Sequence, residues 1–246
     1  MYIPTKESAR NALNAFVPKA GHYYTNYRNF DYTKQSNSSV SRLSPWIRNR
    51  ILTEWEVITA VLEHHSTSSA SKFIEEVCWR TYWKGWLQLR PIIWHIYEQD
   101  VVTLNRMHAD SDNYIKAIEG RTGIDCFDTW NYELTNKNYL HNHARMWYSS
   151  IWIHTLKLPW ELGADWFFRN LLDGDPASNT LSWRWVAGLH TRGKYYLARP
   201  DNIKKFSERE FKINKPLVSY PVNIKTADLP KPCTLRELAP IPNNIR

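Results

Sequence analysis

Glycine is scarce in this chain, with eight residues in 246. Sheet-rich nucleotide-binding folds use glycine at tight turns and phosphate loops. With no βαβ alternation and no glycine-rich dinucleotide fingerprint either, a nicotinamide-dependent reductase is disfavoured. Cysteine is scarcer still. Cys78, Cys126 and Cys233 are scattered and odd in number, which fits neither a disulfide framework nor a four-thiolate zinc or iron–sulfur site, and suits a reducing compartment. No run of apolar residues is long enough to span a bilayer, and the first residues, MYIPTKESAR, contain no apolar signal core. The expectation is a soluble, cytoplasmic protein without a membrane partner. No internal repeat is visible.

What the chain has in excess is aromatic rings: thirteen Trp, fourteen Tyr and eight Phe. Together with the shortage of glycine, this points to helices packed through large side chains. The formal charge of +8, from 32 basic and 24 acidic residues, is a mild preference for polyanions and equally the surface of an ordinary basic protein.

The pattern predicts an all-α fold in a single domain, 1–246. The Tyr-, Asn- and Ser-rich segment 21–45 reads as an ordered loop. Thr53, with Glu56 three residues on, is a capping box for a helix reaching about His65. Ser69 or Ser71 caps the next helix, which Pro91 ends. Further helices are expected at 112–120, 125–136, 143–157, 160–171 and 177–187. Beyond Tyr195 the chain turns polar, and an extended Pro-rich tail is expected from about 207.

Four constellations could carry chemistry. Glu76, Trp79, Arg80 and Trp83 stand at i, i+3, i+4 and i+7, on one helix face. They are either a surface ion pair beside two core indoles or the wall of a pocket that stacks a flat ligand. In the segment from Leu171 to Trp185, Asp175 before Pro176 is a helix N-cap. That leaves Asp173, Asn179, Trp183 and Trp185 unexplained. Asn142 and Arg145 share a face, whereas His141 and His143 diverge, which argues against a metal site. Finally, Ser38-Ser39-Val40-Ser41-Arg42-Leu43-Ser44-Pro45, preceded by Tyr24 and Arg28, offers hydroxyls, N–H groups and a cation for an anion such as a phosphate.

In this order, these segments resemble the FAD-binding domain of the photolyase/cryptochrome family. The sequence runs Tyr24, Arg28, SerArgLeuSerPro, then GluxxTrpArg, GluGlyArgThrGly, HisAsnxxArgMet and AspGlyAspxAlaxAsn with TrpxTrp. The matches extend from about Tyr24 to Trp185. Any one motif is weak, but five in register are specific.

The resemblance implies a helical domain holding FAD, with reduced FADH− as the active form. Tyr24 and Val40 to Ser44 would lie at the pyrophosphate and ribityl region, and Phe73 where relatives place a larger ring. Asn142 would lie on the adenine–lesion side, and Arg145 beside the isoalloxazine facing Asp173. Asp173 and Asp175 would meet the flavin and its adenine side, with Asn179 at N5. Trp79 and Trp185 would stack on a flipped-out pyrimidine dimer, Glu76 would hydrogen-bond it, and Met146 would pack against it. Asn142 and Met146 match the cyclobutane-dimer enzymes, since the (6-4) enzymes carry His at both positions. Arg28, Arg80, His143 and Lys194 could reach DNA phosphates, with Trp83 beside them. Trp183 and Trp160 match the first two members of an electron-transfer chain whose third Trp is missing from 104–113; Trp152, Trp147 or a Tyr could stand in.

The expected activity is light-driven repair of cyclobutane pyrimidine dimers in UV-damaged DNA, including single strands. A cryptochrome-like photoreceptor that signals through flavin redox state is the alternative. Neither an antenna domain with its chromophore nor an iron–sulfur cluster is expected, and the protein is expected to be a monomer.

Overall fold

The computed structural model describes residues 2–33, 38–191, 193–212, 215–224 and 229–234. Among these the regular structure is helical, and the one β-bridge pairs Asp31 with Ser207. The part of the expected tail from 235 to 246 lies outside the described residues.

Twelve α-helices follow in order: α1 Lys6–Phe16, α2 His22–Tyr27, α3 Ser44–Arg48, α4 Glu54–Leu62, α5 Thr67–Gln88, α6 Pro91–His108, α7 Asp112–Ile118, α8 Asp125–Lys137, α9 Asn142–Ser150, α10 Trp160–Asn170, α11 Pro176–Val186 and α12 Pro200–Phe206. The Thr53–Glu56 capping box starts α4 as the spacing predicts, with both reciprocal hydrogen bonds made. Asp175 and Pro176 likewise open α11. α9 runs on into a π-helical turn, Ile151–Thr155, where Leu156 N–H donates to the Ile151 carbonyl at 2.9 Å.

Three expectations need correction. The segment read as loop contains α2 and the start of α3, because Pro45 sits within the first helical turn, where its missing N–H costs nothing. Ser66, rather than Ser69 or Ser71, caps α5 by accepting from Ser69 N–H at 3.3 Å. Pro200 starts α12 inside what reads as tail. Two further helices went unforeseen. α1 buries Ala9, Leu13 and Phe16 at i, i+4 and i+7. α6 is opened by Pro91, the same residue that marks the end of α5.

The buried side chains form two main clusters. One joins α1 to α4 with the first half of α5 through Leu13, Phe16, Trp46, Val57 and Phe73. The other gathers α6 to α11 around Trp130, Trp147, Tyr148, Trp152 and Trp183. α5, 22 residues and about 33 Å long, leads away from the first cluster. Its C-terminal end joins a small third cluster, Leu87, Ile93, Ala177 and Leu181, that ties it to α6 and α11. The space between the clusters, walled by α5, α9 and α11, is left open.

After α12 the chain straps the second cluster. Arg209 donates twice to Glu133, Val222 N–H meets His154 Nδ1 at 3.3 Å, and Cys233 N–H donates to the Leu89 carbonyl at 2.7 Å.

Candidate cofactor and nucleic-acid site

The open space is a cavity of about 740 Å³, in the upper part of the usual range for ligand sites. Its floor comes from α11. Asp175, Ser178, Asn179, Ser182, Trp183 and Val186 recur at helical spacing and all line it. At the helix start, Asp175 Oδ1 accepts from Ala177 and Ser178 N–H at 3.1 and 2.9 Å. Its Oδ2 faces Arg80 at 3.1 Å, Lys84 at 3.6 Å and Arg48 at 3.8 Å. Burial raises the pKa of this carboxyl, but the Ser178 N–H and the three cations outweigh it, so the group stays below the usual range. Gly174 is required just before it: a Cβ there would lie 2.8 Å from the Phe168 carbonyl oxygen.

Deeper in, Arg145 donates to Asp173 Oδ2 at 2.9 Å and to the Leu140 carbonyl at 2.9 Å. Burial disfavours the guanidinium charge, and Asp173 more than restores it. The second Asp173 oxygen is shut off from solvent and unpartnered, as is Trp183 Nε1. Asn179 Nδ2 donates to the Ala164 carbonyl at 2.7 Å, which leaves its amide oxygen as the acceptor for a ligand N–H. Trp183 lies flush on α10, where a Cβ on Gly163 would come within 2.3 Å of the indole.

The opposite wall carries Phe73, held between Phe16 and Tyr24 at ring distances of 4.8 and 5.2 Å. Burial raises the Tyr24 pKa, so its phenol is a neutral donor. At the mouth stand Glu76, Trp79, Trp83, Trp185, Asn142 and Met146. Trp79 is 48% exposed, unlike a core indole. Glu76 is loosely paired with Arg28 at 3.8 Å, and partial burial raises its pKa against the pull of Arg28.

The cavity therefore gathers Tyr24, Ser41, Ser44, Phe73, Glu76, Trp79, Arg80, Trp83, Asn142, Arg145, Met146, Asp173, Asp175, Asn179, Trp183 and Trp185. Other expected site residues lie elsewhere. Val40 and Leu43 pack into the first core cluster. Arg42, with φ of 53°, turns onto the Tyr139 ring at 4.6 Å and lines a second, smaller cavity with Asp31 and His141. From the SerArgLeuSer turn, only the two serines line the main cavity. Arg80, expected at a DNA phosphate, is held by Asp175 and by Glu54 at 3.2 Å. His143 packs on Trp147 and Phe206, and burial lowers its pKa, so it does not offer a fixed cation to a phosphate. Trp160 stacks on Tyr97 at 5.7 Å, behind the cavity. Lys194 is exposed. No group of three His, Cys, Asp or Glu side chains able to hold a metal occurs among the described residues.

Sequence reading missed Ser149, Ser178, Ser182, His190 and Thr191 as lining residues. The two α11 serines could have been found by extending the Asp175–Asn179 face by one turn. His190 and Thr191 follow the helix and carry no local signal.

A helical domain whose cavity offers an aspartate, an arginine and an amide at its floor and indoles at its mouth is the mark of a flavin-binding, photolyase-like protein. The family model described as "FAD binding domain of DNA photolyase" matches residues 73–212, more than half of the chain. The chain belongs to that family. It is 30% identical over 196 residues to a deoxyribodipyrimidine photo-lyase of Alkalihalophilus pseudofirmus, covering 76% of this chain and 38% of that protein. It is 38% identical over 81 residues to Cryptochrome-1 of Arabidopsis thaliana, covering 32% of this chain and 12% of that one. A crystal structure of a class III photolyase from Agrobacterium tumefaciens superposes with a TM-score of 0.70 at 26% identity, covering 84% of this chain and 43% of that one. The chain thus spans about two fifths of the length of these photolyases. No described helix is long and apolar enough to cross a membrane.

The residues present fit FAD. The cavity has the volume for it, and two buried polar atoms, Asp173 Oδ1 and Trp183 Nε1, have no protein partner.

Proposed function

We propose that the protein repairs cyclobutane pyrimidine dimers in UV-damaged DNA, using light and reduced FAD. The observation that carries this reading is that one cavity holds both halves of such a site. The Arg145–Asp173 pair and Asn179 form the floor; Glu76, Trp79, Trp185 and Met146 form the mouth.

When bound, reduced FAD supplies a photoexcited electron donor and the chain supplies orientation and electrostatics. Arg145 would offset negative charge next to Asp173, whose unpartnered Oδ1 would accept a hydrogen bond from the group bound there. The amide oxygen of Asn179, left free by the bond from Nδ2 to Ala164, would accept from a ring N–H, which suits a reduced flavin. At the mouth, the exposed face of Trp79 and the ring of Trp185, stacked from behind by Tyr196 at 5.8 Å, offer flat surfaces for two unstacked bases. Glu76 takes a proton more readily than a free carboxyl, so it can donate to a pyrimidine carbonyl as well as accept from N3–H. Asn142 and Met146, whose Nδ2 and Sδ lie 3.8 Å apart, present an amide and a thioether to the lesion and no imidazole.

The test is recovery of absorbance at 260 nm by a UV-irradiated oligothymidine, mixed with reduced protein under blue or near-UV light. Glu76→Ala is expected to slow recovery about tenfold or more, as loss of a hydrogen bond between a charged group and the lesion would, while the flavin spectrum is kept. A wild-type flavin spectrum with no recovery would replace repair with the photoreceptor reading, and absence of flavin would remove both.

A further inference from the structure

The aromatic surface does not end at the cavity mouth. Trp79 faces Trp83 at 5.6 Å with the planes 30° apart. Trp83 meets the His190 imidazole at 4.8 Å, and His190 meets Trp86 at 4.9 Å. The Arg90 guanidinium then lies over Trp86 at 4.4 Å. Trp79, Trp83 and Trp86 recur at i, i+4 and i+7, so one face of α5 leads from the mouth toward the helix end. Trp79 is exposed, and Trp83 and Trp86 are partly buried, each resting by one side on the third cluster.

This ledge also carries fixed polar atoms. His190 Nδ1 and Arg90 Nε are both closed off from solvent and unpartnered. Burial, with Arg184 and Arg90 nearby, lowers the His190 pKa, so the ring is neutral near pH 7 and can donate from one nitrogen while accepting at the other.

We propose that the ledge Trp83–His190–Trp86, closed by Arg90, binds an unpaired nucleotide next to the two bases held in the cavity, so that a single DNA strand is the substrate. The inference rests on the repair reading for the identity of the strand. The argument is one of available faces. Every base has a π-face that stacks on an indole, whatever its sequence. In a duplex the base beside the lesion is covered by its neighbours on both faces, and stacking on the ledge would require breaking that stack. In a single strand little opposes it. The cation at the end of the ledge matches the phosphate that follows such a base.

The experiment measures binding in the dark by fluorescence anisotropy, with a labelled nonathymidine carrying one central dimer as the probe and the dimer dinucleotide as competitor. Trp86→Ala is expected to weaken the nonamer about tenfold, within the range for loss of one stacked base, and to shrink the nonamer-to-dinucleotide affinity ratio by the same factor. Trp86→Phe is expected to restore most of it. Arg90→Gln, which leaves the rings in place, is expected to reduce the salt slope of single-strand binding by about 0.7. Wild-type nonamer affinity in Trp86→Ala, together with an unchanged salt slope in Arg90→Gln, would overturn the proposal. So would an equal loss for a duplex carrying the same dimer. The two readings fail separately. If repair is absent, an undamaged nonamer still binds through the ledge and still weakens in Trp86→Ala; if only the ledge is wrong, repair proceeds and the variant binds as wild type.

Discussion

At the scale of single residues, the cavity is held in shape by side chains whose partners leave them little freedom. Arg145 is fixed at both ends of its guanidinium, by the Leu140 carbonyl and by Asp173, and lies 5.5 Å from the Tyr139 ring. Tyr139 in turn has Arg42 at 4.6 Å. Arg145→Met keeps the bulk of the stem and removes the cation, which strands the Asp173 carboxylate, whose side chain is 6% exposed. Removing one partner of such a pair costs about 3–5 kcal/mol. The variant is expected to melt several degrees lower and to lose flavin on gel filtration. An unchanged melting temperature with bound flavin would show that Asp173 finds another partner and that the pair does not hold the floor.

At the scale of helices, α11 shows what local sequence can and cannot tell. Its start was legible because an Asp–Pro pair satisfies the first backbone N–H groups and tolerates the missing one. Its cavity face was legible because Asp175, Asn179 and Trp183 repeat at helical spacing. The cations on Asp175 were not, since Arg48, Arg80 and Lys84 come from α3 and α5 and meet it only in the fold. Arg80 therefore read as a DNA contact. The same limit explains α6, whose opening Pro91 serves equally as the end of one helix and the start of another. It also explains Arg42, which a left-handed backbone turns away from the serines on either side of it. The two roles of Asp175 separate by substitution. Asp175→Asn keeps an N-cap and loses the charge, whereas Asp175→Ala loses both. The cap is worth about 0.5–2 kcal/mol, so Asp175→Ala is expected to be less stable than Asp175→Asn by about 1 kcal/mol in urea melts. Equal midpoints would mean that the carboxylate acts on α11 only through its charge.

At the scale of the whole molecule, groups withdrawn from water set opposite pH dependences on the fold. Asp31 is raised to about 6 by burial and by Glu133, and Glu161 to about 7, chiefly by burial. Acids raised in the fold leave stability intact below their unfolded values, near pH 4, and subtract from it as pH climbs through 6 and 7. His141, the buried N-cap of α9, is lowered to about 3 by burial and by His143. A base lowered in the fold leaves stability intact above its unfolded value, about 6.5, and subtracts from it as pH falls toward 3. Between pH 4.5 and 6.5 the folded state therefore holds protons on Asp31 and Glu161 that the unfolded chain has released, and lacks the one that unfolded His141 has taken up. These slopes oppose each other, but two acids stand against one histidine, so the wild-type melting temperature is expected to fall across that interval. Removing one side should unmask the other. Glu161→Gln is expected to flatten that fall between pH 5 and 6.5, because the histidine slope then meets only Asp31. His141→Asn, which keeps a capping side chain, is expected to fall more steeply than the wild type between pH 5 and 6.5. Thermal melts of the three proteins at half-unit steps decide the matter. If both variants track the wild type at every pH, these buried groups do not titrate as their surroundings dictate.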